Sequence, residues 1–136
     1  MLSERNAFRL VVALAGLVPV GAGATGVLLG AGVFADGVLP LDLSLDSHAR
    51  YLSGLLLGIG LAFWGTLRRP EAHGGLYRVL GAIVVLGGLA RALGLLEGAP
   101  NLAMRLALVM ELGVTPAICL WQASLARRVG EAPPPR

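Results

Sequence analysis

Apolar residues gather into four long runs separated by short polar stretches. A membrane-spanning helix needs about 20 mostly apolar residues, because it rises about 1.5 Å per residue through about 30 Å of hydrocarbon. The runs at about residues 8–34, 51–67, 77–96 and 102–125 meet or approach that length. The first, Phe8 to Phe34, is long enough to tilt, and Pro19 within it predicts a kink. The second, Tyr51 to Leu67, is slightly short and leads into the pair Arg68-Arg69. Irregular backbone facing lipid would leave amides unpaired, so each run predicts a helix. Short connections make consecutive helices antiparallel neighbours. The expected fold class is therefore all-α: a polytopic membrane protein with one domain over residues 1–130, built as a four-transmembrane-helix antiparallel bundle. The longest connection, Asp36 to Ala49, holds Pro40 and repeated aspartates and predicts an ordered loop or short interfacial segment. The tail, residues 131–136, carries three prolines and is expected to be disordered.

Composition agrees with a membrane location. Apolar residues make up 56% of the chain and charged residues 14%, against about 25% charged in soluble domains. Glycine, with 20 residues, is far above its usual share of about 7% and follows no three-residue period, which excludes collagen and points to close helix packing. All basic side chains are arginine, and they stand at the ends of apolar runs rather than on one polar domain, so the high isoelectric point does not indicate nucleic acid. Cys119 is the single cysteine, which rules out an intramolecular disulfide. No zinc spacing, phosphate-binding glycine loop or nucleophile elbow is present, so neither a metal, a cofactor nor a catalytic residue is assigned.

Arginine distribution orients the chain. Arg5, Arg9, Arg68, Arg69, Arg78, Arg127, Arg128 and Arg136 fall on one side of the four runs. Arg50 and Arg105 fall on the other, beside Asp36, Asp42, Asp46 and Glu97. The positive-inside rule then places both termini in the cytoplasm. Trp64, Tyr77 and Trp121 are expected in the inner aromatic belt, Arg105 at the outer interface, and Cys119 among buried apolar neighbours. A competing reading takes Arg5, Arg9, the apolar residues Leu10 to Val18 and Ala22-Gly23-Ala24 as a cleavable signal. Against it, the apolar run continues from Thr25 to Phe34. Gly26 to Ala31 also echoes Gly94 to Ala99, which the abundance of Gly, Ala and Leu explains.

Among the charges within the runs, two stand out. An ionised group in hydrocarbon costs about 2.5 to 3.5 kcal/mol on insertion scales, so each needs a reason. Arg91 stands near the outer end of the third run and Glu111 deeper in the fourth, at levels about one helical turn apart, which an arginine side chain can bridge. Gly87, Arg91, Gly94 and Gly98 recur at spacings of three and four and predict an inward-facing glycine stripe. Leu108, Glu111, Thr115, Cys119 and Gln122 share a face of the fourth helix, and Arg50, Gly54, Gly58 and Gly65 share one on the second. Two readings stay open. Arg91 and Glu111 form an ion pair that fixes helix register, or they line an outward-opening pocket with Asp46, His48, Arg50 and Tyr51 at its mouth and Thr115 nearby.

These residues resemble a known family. The run Arg50-Tyr51-Leu52-Ser53-Gly54 with Gly58, Gly60 and Trp64 carries part of the likeness. Gly87-Gly88-Leu89-Ala90-Arg91, Gly98-Ala99-Pro100, Glu111-Leu112 and Pro116 carry the rest. Together they are similar to the small four-helix membrane proteins of domain-of-unknown-function family 4345, over about Asp46 to Trp121. The resemblance implies a bacterial inner-membrane protein and matches Arg50, Arg91 and Glu111 to the family pattern. Gly94 departs from the serine expected there. The family name implies no activity.

The functional expectation is a binding or accessory module without covalent chemistry of its own. It would hold a lipid-like ligand or a partner helix through the Arg91/Glu111 pocket, in contact with the lipid bilayer and with the option of a homo-oligomer or partner membrane protein. Its alternatives are a membrane-embedded isomerase using Glu111 as acid or base, by analogy alone, and a small dimeric transporter.

Overall fold

The computed structural model describes residues 2–34 and 42–130. The expectations for Asp36, Pro40 and the tail at 131–136 lie outside the described residues. Among the described residues every regular element is helical: α1 (Leu2–Leu29), α2 (Leu43–Gly65), α3 (Gly74–Leu93), α4 (Leu102–Val109) and α5 (Thr115–Gly130). A short 3₁₀ turn follows α1 at Gly30–Val33, another precedes α3 at Pro70–His73, and a third follows α3 at Gly94–Leu96. A π turn at Met110–Val114 joins α4 to α5 into one rod. The fold is thus all-α with four helical rods.

Three stretches are long and apolar enough to cross a membrane: Ser3–Val33, Pro70–Leu96 and Leu102–Gly130. They mark the chain as a membrane protein. Leucines such as Leu28, Leu86, Leu93, Leu96 and Leu120 point outward from them, which in water would be costly and in lipid is not. The second rod, α2, has a comparable length, but it begins further upstream than its apolar run. Its first turns carry Asp46, His48 and Arg50, which dilute its hydropathy. Likewise α1 starts at Leu2 and continues through Pro19, and α3 starts at Gly74.

The chain divides into two compact units, each described by itself. One is Leu10–Leu67; the other joins Met1–Arg9 to Arg68–Arg136. In the first unit, α1 and α2 run antiparallel. Gly16 lies against Trp64, Gly23 against Leu57 and Gly26 against Ser53, in reverse order along α2. Trp64 Nε1 donates to the Ala13 carbonyl at 3.1 Å, so its polar edge is satisfied within the hairpin. In the second unit, α3 and the α4–α5 rod are antiparallel by the same logic. Gly74 meets Gln122, Gly81 meets Cys119, and Gly88 meets Glu111 and Leu112.

The glycines that pack differ from those expected. Gly87, Gly94 and Gly98 face open space, as do Gly58 and Gly65. The packing stripe on α3 is Gly74, Gly81 and Gly88, at every seventh position, which keeps one seam against the antiparallel α4–α5 rod. Gly87 sits about 100° around the helix from that seam.

The core of the second unit is aromatic. Phe8 is 0% exposed and packs edge-on to Trp121 (centroids 5.2 Å, 88°) and tilted to Tyr77 (5.8 Å). Tyr77 is also 0% exposed. It is a core residue rather than part of an exposed interfacial belt, with Phe8 of α1 packed on its ring. Gln122, buried, donates to the Pro70 carbonyl at 3.0 Å and ties the turn before α3 to α5. Asn101 caps α4, its side chain accepting from the Met104 amide at 2.9 Å.

Candidate functional site

Arg91 stands in the last turn of α3 and Glu111 in the π turn of the facing rod. The guanidinium donates through Nε to Oε2 and through Nη2 to Oε1, both at 3.0 Å. This is a two-pronged contact between planar groups, the geometry in which arginine–carboxylate pairing is strongest. The side chains are 39% and 17% exposed, so the carboxylate is largely enclosed and the guanidinium is not.

The π turn places Glu111. Pro116 lacks an amide hydrogen, and its ring would press on the Leu112 carbonyl in a regular α-helix. Widening the turn just before it relieves that clash, and the Thr115 amide reaches back to the Met110 carbonyl instead. Such single-turn expansions recur at functional sites. Thr115 Oγ1 also donates to the Met110 carbonyl, at 2.9 Å. It stabilises the turn and does not join the ion pair. On the α3 side, Gly88 gives Glu111 room, since a Cβ there would stand 2.8 Å from the Glu111 Cβ. Cys119 is half-buried, and its Sγ donates to the Tyr77 carbonyl at 3.3 Å.

Asp46, His48, Arg50 and Tyr51 belong to the other unit. There Arg50 Nε donates to Asp46 Oδ2 at 2.7 Å, and Nη1 donates to the carbonyls of Val27 (2.7 Å) and Leu28 (3.1 Å). These are among the carbonyls that a helix end leaves without partners, and a cation there also complements the helix dipole. Asp46 Oδ1 accepts from the Ala31 amide at 2.8 Å. Arg50 and Asp46 together therefore cap the end of α1. The hydrogen bond from Arg50, helped by that from Ala31, holds the Asp46 carboxyl below the usual carboxylate range, against a small opposing effect of burial. Gly30, at φ +70°, turns the chain out of α1 beside this clamp. His48 Nδ1 lies 2.9 Å from the Ser44 carbonyl and is exposed, and Tyr51 is 67% exposed. Among the described residues, the Arg50–Asp46 clamp is completed by backbone groups of α1 and its following turn rather than by His48 or Tyr51.

Sequence reasoning found both ion pairs' members but missed the cluster at the other end of the second unit. There Arg5 Nη2 donates to the Arg68 carbonyl at 3.1 Å and pairs with Glu71 Oε1 at 3.1 Å, and Arg9 Nη2 donates to the same carbonyl. Arg128 Nη1 contacts both oxygens of Glu4, at 3.1 and 3.2 Å. The spacing of Arg5 and Arg9 around Phe8, one turn apart, was the available signal. Among the described residues, no group of three or more His, Cys, Asp or Glu could hold a metal ion.

A family model described as a domain of unknown function, DUF4345, matches residues 7–122, and so takes in the first helix as well as the motifs from Asp46 onward. Neither curated proteins nor solved structures give a match.

Proposed function

The chain belongs to the DUF4345 family, and from its own residues we propose that it is a small bacterial inner-membrane binding module that holds a lipid-like molecule at Arg91 and Glu111. In this reading α2 is the fourth span, over about Tyr51–Leu67, and the four rods form an antiparallel bundle with both termini cytoplasmic. The arginine distribution supports that orientation.

The observation that carries the functional reading is the ion pair. A charged pair stands near the end of an otherwise apolar rod, with the guanidinium more than a third open. The pair is neutral as a unit but keeps unused N–H donors on Arg91 and lone pairs on Glu111. That combination suits a headgroup bearing hydroxyl or amide groups, with an apolar tail lying along the exposed leucines of α3. No covalent step is required of it. The two-pronged closure of the contact also favours a second reading, in which the pair is a clamp locking α3 to the π turn.

One experiment separates them. Wild type, Arg91→Leu and the double variant Arg91→Leu/Glu111→Leu are released from gentle detergent into a native mass spectrometer, with thermal stability measured in parallel. Under the binding reading the wild type retains an amphipathic adduct that the folded double variant loses. Under the clamp reading the single variant is strongly destabilised, by about 3 to 5 kcal/mol, the double variant largely recovers, and no adduct distinguishes them. A retained protein subunit instead of a small molecule would identify a partner helix as the occupant.

A further inference from the structure

The arginine cluster of the second unit is built in a way that its own contacts do not complete. Phe8, locked between Tyr77 and Trp121, fixes the first turns of α1, and Arg5 and Arg9 flank it on the same face. Both guanidiniums are thereby brought to one backbone oxygen, that of Arg68. Two like charges sharing an acceptor repel, and among the described residues one carboxylate, Glu71, answers them directly, through Arg5. Glu4 is engaged elsewhere, by Arg128. Nε of Arg5, Nε of Arg9 and Oε2 of Glu71 are all buried without a hydrogen-bond partner. A buried unpaired polar atom costs about 1 to 3 kcal/mol, more when charged, so three at one place call for a further group. Arg68, Arg69, Arg78 and Arg127 are exposed around the same end.

Position gives the class of that group. The cluster lies where the apolar stretch from Ser3 begins, where the one from Pro70 begins and where the one to Gly130 ends. That is the level of lipid headgroups. We infer that Arg5 and Arg9, with Glu71 beside them, form a binding site for the phosphate of an anionic lipid headgroup. Arginine's planar fork matches phosphate oxygens, and anionic lipids are drawn to basic segments at this level. The free acceptor on Glu71 suits a headgroup hydroxyl. The site shares no residue with Arg91 and Glu111, so either assignment can fail alone.

The test is thermal unfolding of the full chain in neutral detergent, with short-chain phosphatidylglycerol, short-chain phosphatidylcholine or inorganic phosphate added. Phosphatidylglycerol should raise the Tm by several degrees when well above its Kd, and phosphatidylcholine by much less. Arg5→Gln/Arg9→Gln should abolish the shift, while Arg105→Gln keeps it. Glu71→Gln removes the competing negative charge, retains an acceptor and should enlarge the shift. This variant decides the matter if the double arginine variant does not fold. A phosphatidylglycerol shift that survives Arg5→Gln/Arg9→Gln, or that Glu71→Gln leaves unchanged, overturns the site. An equal shift with inorganic phosphate overturns the lipid assignment and makes free phosphate the ligand.

Discussion

Gly88 lies directly beneath Glu111: a Cβ on Gly88 would stand 2.8 Å from the Glu111 Cβ and equally close to Leu112 Cδ2. The ion pair therefore depends on a missing side chain one turn from Arg91. Gly88→Ala should push the π turn away and lower stability by about 1 to 3 kcal/mol, as overpacking does. Gly87→Leu, facing open space, should be nearly neutral. Thermal melts of both variants in the same detergent check the contrast. Equal losses would mean that the seam of α3 lies elsewhere.

A second contrast concerns Gly30. Its φ of +70° strains any residue with a Cβ, and that Cβ would also run into the Asp46 carboxylate. Gly30→Ala should cost at least about 1 to 2 kcal/mol. Gly21→Ala, inside α1 with nothing nearby, should be neutral or stabilising by about 0.5 to 1 kcal/mol. The measurement is again a paired melt.

Acid should loosen the Asp46–Arg50 clamp. The Asp46 carboxyl titrates lower in the folded chain than in the unfolded one. Its contribution is therefore complete above the ordinary carboxylate range and is lost as pH falls through the depressed folded value. Amide exchange at Ala31 should accelerate, after correction for intrinsic pH dependence, only at the acid end. In Asp46→Asn that acid-induced step should vanish. A step of the same size in the variant would assign it to another group.

Orientation is open to labelling. If the arginine-rich side is cytoplasmic, Leu76→Cys should resist a membrane-impermeant thiol reagent applied from outside, and Ser44→Cys should react. A Cys119→Ser background removes the native thiol. The reverse pattern would invert the protein.

The rods were legible because three of them are long and apolar enough to cross a membrane, where a helix satisfies its backbone amides within itself. Arg91 and Glu111 were legible as partners because their levels differ by about one turn, within reach of an arginine. Helix faces were less so. Small residues spaced at three and four suggest a stripe, but in a chain with 20 glycines several stripes compete. The seven-residue intervals Gly16, Gly23, Gly30 and Gly74, Gly81, Gly88 pack, as do Gly26 and Gly60 outside them, and nothing local distinguishes Gly87 from Gly88. Thr115 shares a helical face with Glu111 on a regular wheel. The π turn before Pro116 shifts that register, and the hydroxyl spends its hydrogen on Met110. The capping contacts of Arg50 were not legible, because its partners, the carbonyls of Val27 and Leu28, carry no side-chain signal.

The contact between Glu4 and Arg128, separated by 124 positions, sets an order of events during synthesis. Residues 4–9 leave the ribosome first, yet the partners that bury Phe8 and pair Glu4 arrive only with Trp121 and Arg128. The contacts within Leu10–Leu67 can all form once Leu67 is made. The opening turns of α1 must instead wait through the insertion of α3 and the α4–α5 rod. Until then Phe8 lacks Trp121 and Glu4 lacks Arg128, although the Arg68 carbonyl shared by Arg5 and Arg9 is already made. That interval is when an insertase or chaperone would find them.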